Sequence, residues 1–285
     1  MQTEASEVRR IWVTGAGGLI GNQLVAGAPA WAPGREAVPL LRAELDLEDA
    51  AAVTARFRLD APDAVIHCAA SSRSPVCQAD PVGAHRSNVE ATRHLAGLAT
   101  GIPFVFFSTD LVFDGRKGGY LEDDPVGPLS VYAETKVEAE RCVREHPRHL
   151  IVRTSLNHGA SPGGVRGFDE ELAAAWRAGR ETTLFDDEFR CPIAAADTAR
   201  IVWELLLGGA RGTFHVAGGE RLSRWEIGRR VAEARPELAP RVVAASLGSY
   251  VGAPRPADVS LDCGKAERFL GRPMPKFNVD RPTAS

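Results

Sequence analysis

Short unbroken apolar runs alternate along the chain with longer stretches in which apolar residues recur every three or four positions. The runs at residues 8–14, 37–41, 64–68, 103–107 and 150–153 read as strands. Those at 64–68 and 103–107 are apolar without alternation, as expected of a strand covered on both faces. Residues 19–28, 48–59, 81–100 and 132–146 carry helical spacing. This strand–helix rhythm predicts an α/β fold, a doubly wound parallel sheet. After residue 156 the rhythm weakens. Residues 157–165 (NHGASPGGV) read as a loop, and helices are expected over 169–178, 197–207 and 223–234, the last opened by a Ser223/Glu226 capping box. Gly212–Val216 returns as a strand, and the proline-rich stretch from Pro236 reads as irregular. The expected organisation is a sheet domain of residues 1–156 and about 190–217, with a smaller, discontinuous lobe of about 157–189 and 218–285 over the carboxyl ends of the strands, where ligands bind in such sheets.

Composition narrows the class. Of 285 residues 44% are hydrophobic and 25% charged, with a net charge of −3, which excludes a disordered chain and a strongly basic binder of nucleic acid or membrane surfaces. No apolar run approaches the roughly 20 residues that span a bilayer. Cys68, Cys77, Cys142, Cys191 and Cys263 are odd in number and lack C-x-x-C spacing, so neither a disulfide framework nor a zinc site is expected. With a polar rather than apolar amino terminus, the expected setting is reducing and cytoplasmic. No metal is expected, since the acidic runs 122–124 and 186–188 read as solvated loops.

Two motifs carry chemistry. Gly15, Gly18 and Gly21 follow the first strand and open the first helix. Gly15 suits the tight turn, Gly18 lets backbone amides approach a pyrophosphate, and Gly21 lets the helix pack closely. This is the phosphate loop of a Rossmann-type sheet, with the next residues, Leu19 and Ile20, at the helix start. The second strand ends in Arg42 where a ribose-binding carboxylate is usual for NAD. Arg42 could pair with a 2′-phosphate, which favours NADP(H) with NAD(H) as the alternative; a solvated surface arginine is the plainer reading. Asp46 and Leu47 follow closely. The second motif is Tyr132-x-x-x-Lys136 in a predicted helix. With 3 Tyr and 4 Lys in the chain, that spacing is a roughly 4% event by chance, and it puts both side chains on one helix face. An ammonium beside a phenol stabilises the phenolate and lowers its pKa. Ser108, Thr109 and Asp110 follow a buried strand; Thr109 is the candidate to hold a carbonyl oxygen for Tyr132, with Ser108 as its rival.

These segments, with residues 65–70 (VIHCAA), Asn88, 108–115 (STDLVFDG), 128–140, 153–155, 212–219 and 255–270, resemble the extended short-chain dehydrogenase/reductase superfamily. Within it the chain looks most like the dTDP-4-dehydrorhamnose reductase family, and the resemblance spans nearly its whole length. It implies NAD(P)H-dependent reduction of a keto group on a nucleotide-activated deoxysugar. By position, Gly18, Leu19 and Ile20 would meet the pyrophosphate, Arg42, Asp46 and Leu47 the adenosine, and Ala69, Ala70 and Ser71 would line the cofactor. Phe107, Tyr132 and Lys136 would face the nicotinamide ribose, Thr109 and Asp110 the sugar, and Arg255 a substrate phosphate. The catalytic set would be Thr109, Tyr132 and Lys136. Departures fall on the substrate side: Leu156 stands where an aromatic residue is usual, and residues 187–193 read DEFRCPI for the family's D-Q-x-G-x-P-T. A homodimer is a family expectation. The chain also resembles the regulatory β subunit of methionine adenosyltransferase, which implies a rival reading as a non-catalytic NADP-binding subunit. A nucleotide-sugar epimerase or dehydratase, and a reductase of a non-sugar ketone, remain open.

Overall fold

The computed structural model describes residues 8–252 and 254–279. Along the chain run β1 (Arg10–Thr14), α1 (Leu19–Trp31), β2 (Glu36–Leu40), α2 (Ala50–Asp60), β3 (Ala64–His67), α3 (Ser74–Ala79), α4 (Pro81–His85), α5 (Ala91–Leu98), β4 (Phe104–Thr109), α6 (Val131–Arg144) and β5 (His149–Thr154). They continue with β6 (Asn157–His158), α7 (Phe168–Arg177), β7 (Thr182–Phe185), β8 (Phe189–Arg190), β9 (Ile193–Ala194), α8 (Ala195–Leu207), β10 (Gly212–Val216), β11 (Leu222–Ser223), α9 (Arg224–Glu233), β12 (Val242–Ala245) and α10 (Gly264–Leu270).

The parallel sheet expected from the apolar runs is present, in the order β10-β5-β4-β3-β1-β2. Every residue of β3 and β4 is buried. Alternate side chains feed two layers: Ile11, Val13, Ile66 and Val105 join one core with α1 and α8, while Trp12, Val65, Phe104 and Phe106 join the other with α5 and α6. The chain leaves β1 toward β2 on one side and has β3 on the other, so the connections above β1 and β3 diverge and open a crevice at their carboxyl ends. Thr14 and His67 are the last paired residues of β1 and β3, which puts the glycine loop and residues 69–71 at that crevice.

Two expectations need correction. The helix expected over 81–100 is three pieces: α4, a wide π turn at Arg86–Glu90, and α5, preceded by the unforeseen α3. The turn carries Asn88, whose amide bonds the Ser71 backbone from both ends, at 2.7 and 3.1 Å. The tail from Pro236 is also not wholly irregular, since β12 pairs in parallel with β7 and α10 packs on β10. A third core lies apart from the sheet: Phe168, Leu172 and Trp176, one stripe of α7, meet Leu222, Ile227, Val231 and Phe277.

Between the second core and the end of β5 sits a buried ion pair. Arg153 donates to Glu140 at 2.9 and 2.8 Å, and the Ser108 hydroxyl donates to the same carboxylate at 2.6 Å. Both charged side chains are 1% exposed. Replacing Glu140 by Ala leaves the Arg153 guanidinium buried without its carboxylate and should lower the unfolding free energy by about 3–5 kcal/mol. Arg144→Ala, removing a partly exposed partner of the same carboxylate, should cost under about 1 kcal/mol. Urea unfolding of both variants checks the contrast.

Candidate active site

The glycine loop has the backbone its sequence demands. Gly15 sits at φ +67°, and a side chain there would meet the Ala69 nitrogen at 2.8 Å. At Gly21 a Cβ would lie 2.3 Å from the Gly15 carbonyl oxygen, so α1 comes down directly on the turn. The Gly18 amide donates to that same oxygen at 2.9 Å, and Gly18 caps α1. No side chain caps this helix and no acidic residue lies in its first turn. The amides at Leu19 and Ile20 therefore sit at an uncompensated positive helix end, a fit for the pyrophosphate of a dinucleotide.

Leu41 lies beside the loop, its methyl 3.4 Å from where a Gly17 Cβ would stand. That brings Arg42 to the rim with its side chain 80% exposed and 3.6 Å from Glu48. Glu48 is held mainly by Ser87 and Arg86, which keep its carboxyl below the usual range. Asp46 is exposed and accepts the Glu48 amide at 3.1 Å, while Leu47 packs on the second core.

Ala69, Ala70 and Ser71 follow β3 and are partly exposed. Asn88 fixes this segment and also donates to Thr135, at 3.0 Å, whose hydroxyl donates to the Tyr132 carbonyl. Cys77 donates to the Ser71 carbonyl at 3.2 Å. Asn88 matched the family resemblance without a role attached; among polar neighbours (residues 85–90, HRSNVE), nothing else in the sequence set it apart. His67 is structural. Its ring bridges Thr14 at 2.7 Å and Thr92 at 3.0 Å, and burial lowers its pKa to about 3, so it stays neutral.

Tyr132 and Lys136 rise one turn apart from the start of α6, which Ser130 caps. Thr109, the last residue of β4, stands close enough to Tyr132 to hold the phenol pKa down, while its own hydroxyl donates to Asp110 at 3.1 Å. The structure thus brings Thr109, Tyr132 and Lys136 together. Ser108 is the more firmly held of the two, its hydroxyl donating to buried Glu140 at 2.6 Å, whereas that of Thr109 donates to Asp110 at 3.1 Å. Phe107 is buried in the first core. The expected lowering of the phenol pKa is not found. Burial raises the Tyr132 pKa above its ordinary value, Asp110 and Cys77 raise it further, and Thr109 and Arg190 oppose them. Lys136 is itself buried, its Nζ 4.0 Å from the centre of the Phe106 ring. Burial brings its pKa from 10.5 down to about 7, against the pull of Glu140 and Cys68.

On the substrate side the structure redirects three expectations. Asp110 does not face a sugar: it is fully buried, accepting from Arg190 at 2.7 and 2.5 Å and from Ser155 at 2.6 Å. Leu156 packs on the third core, its carbonyl accepting the Ile193 amide. Arg255 is committed to Glu188, with two 2.9 Å hydrogen bonds. Asp110 and Arg255 each meet an opposite charge inside the protein. His158 is likewise buried, stacked edge-on against Phe277 at 5.0 Å, and its pKa falls to about 4.

The model of the RmlD substrate binding domain matches residues 9–283. The chain belongs to the RmlD substrate binding domain family. Among similar proteins, dTDP-4-dehydrorhamnose reductase of Sinorhizobium fredii (strain NBRC 101917 / NGR234) is 31% identical over 283 residues, covering 94% of each chain. Methionine adenosyltransferase 2 subunit beta of Rattus norvegicus is 29% identical, covering 94% of this chain and 84% of its own length. The crystal structure of dTDP-4-dehydrorhamnose reductase from Bacillus anthracis str. Ames in complex with NADP superposes with a TM-score of 0.85 at 25% identity, covering 94% of this chain and 95% of that one.

The buried amine has a measurable consequence. Between pH 7 and 10.5 the unfolded chain keeps the Lys136 proton and the folded, ligand-free chain releases it, so stability rises with pH across that window. Below pH 7 both states hold the proton and the gain is absent. Wild type should therefore gain on Lys136→Met as pH rises from about 7 to about 9, by up to about 1.4 kcal/mol per pH unit, in urea unfolding. A difference that stays constant with pH would contradict this placement.

Proposed function

We propose that the protein is an NADP(H)-dependent reductase of a keto group on a nucleotide-activated deoxysugar. The observation that carries the reading is the convergence of Thr109, Tyr132 and Lys136 beside an uncapped, glycine-lined helix end in a chain of this family. Bound NADPH supplies the hydride. The amides of residues 18–20 would hold its pyrophosphate, and exposed Arg42 is free to turn toward a 2′-phosphate. Asn88 keeps the 69–71 wall in place. We assign the lobe built on the third core to the substrate.

The chain's own part in the reaction is proton transfer. Burial keeps Tyr132 protonated at neutral pH, the form a general acid needs. Its hydroxyl gives its proton to the oxygen of the reduced carbonyl, and Thr109, once its hydroxyl turns from Asp110, holds that oxygen by a hydrogen bond. Lys136 in its ammonium form then stabilises the phenolate left on Tyr132 and can bond ribose hydroxyls. Regaining a proton from solvent resets the tyrosine.

Tyr132→Phe should lower kcat by about 10²–10⁴-fold while NADPH affinity, read by fluorescence titration, stays near wild type. Normal turnover by this variant would remove Tyr132 as the acid. A screen of nucleotide-sugar ketones with NADPH and NADH in parallel tests the wider reading, and NADH preference would overturn the role given to Arg42. The 29% identity to a methionine adenosyltransferase subunit favours a second reading, a partner subunit. It requires no turnover on any ketone and a stable complex with a synthetase.

A further inference from the structure

Five charged side chains meet where β8 and α9 adjoin the end of β4. Asp110 is matched to Arg190 and Glu188 to Arg255, each by two hydrogen bonds. The fifth, Arg224, has no such match. It is the first residue of α9, and its backbone amide donates to the Glu188 carbonyl at 2.8 Å. Its partly buried guanidinium lies over the Phe168 ring, 5.8 Å from the centroid. Among the described residues it makes no hydrogen bond and no ion pair. The cluster thus holds three cations against two committed carboxylates, with exposed Glu171 as a more distant counter-charge.

An unmatched guanidinium in a partly dry setting is unfavourable unless an anion completes it. Its two cationic neighbours, Arg190 and Arg255, add repulsion, and burial together with them draws the Arg224 pKa down to about 10. Those neighbours cannot serve an incoming anion as freely. Arg190 gives Nε and one Nη to Asp110. Arg255 does the same with Glu188 and is also flanked by the rings of Phe185 and Tyr250, 5.6 and 5.5 Å away. Only Arg224 offers its whole donor fork. Arg190 acts electrostatically on both Arg224 and Tyr132.

We infer that Arg224 is the principal anchor for a phosphate of the substrate, in the place that the resemblance gave to Arg255. The inference rests on the nucleotide-sugar reading for the identity of the anion, and on this chain's charge pairing for the residue.

Isothermal titration with saturating NADPH, so that the cofactor site is filled, tests it on wild type, Arg224→Met and Arg224→Lys. The probes are dTDP, UDP, inorganic pyrophosphate and, as uncharged controls, thymidine and uridine. The expected result is at least about tenfold weaker binding of dTDP or UDP and of pyrophosphate to Arg224→Met, partial recovery in Arg224→Lys, and no change for the nucleosides. Met preserves the chain over Phe168, and an unchanged melting temperature with unchanged NADPH affinity shows that folding is intact. Equal affinity of wild type and Arg224→Met for dTDP or UDP would overturn the inference while leaving the nucleotide-sugar reading in place. Failure of wild type to bind any of the phosphate probes would overturn it too. Pyrophosphate bound in an Arg224-dependent way, with dTDP and UDP no tighter, would uphold the anion anchor and refute the nucleotide-sugar reading.

Discussion

The Asp110 carboxylate, shut away from water, joins three parts of the chain at one buried point. It accepts from Arg190 on β8, from Ser155 just after β5, and from the neighbouring Thr109 hydroxyl at 3.1 Å. Ser155 in turn accepts the Cys191 amide at 3.1 Å. The end of the sheet and the β8 segment are thereby held in one register. The pair has little net worth against an apolar substitute, since desolvating two charges offsets most of their attraction. Its effect is positional: Thr109, Tyr132 and the arginine group around Glu188 share one fixed reference.

The same logic explains why the substrate side was harder to read than the sheet. Periodicity reports burial, and the sheet is a matter of burial: unbroken apolar runs at β3 and β4 specified strands covered on both faces, and the structure has them. The glycine loop was equally legible, because Gly15 and Gly21 are required by backbone contacts that any side chain would violate. Tyr132 and Lys136 were legible because helical spacing alone sets them on one face. Ionic partners follow no period. Nothing in the sequence near Asp110 announces Arg190, eighty residues on, and nothing near Arg255 announces Glu188. Hence Asp110 and Arg255 read as ligand-facing groups when they are bonded to other side chains. The π turn at Asn88 escaped notice for a related reason, since one extra residue in a turn leaves the apolar pattern of a helix nearly intact.

Electrostatics also revise the simplest picture of the tyrosine–lysine motif. Spacing argues that an ammonium lowers the phenol pKa, but burial dominates both groups and pushes them apart: the phenol holds its proton and the amine gives its up readily. The two groups act together only with the amine in its charged form.

That last point reaches beyond the catalytic step. An amine poised near neutrality, whose ionised form a bound dinucleotide would favour, makes cofactor capture an event that draws hydrogen ions from the surrounding buffer. The apparent heat of association would then vary with the buffer's own enthalpy of ionisation, and the number of ions captured would be greatest on the mildly alkaline side of Lys136's midpoint.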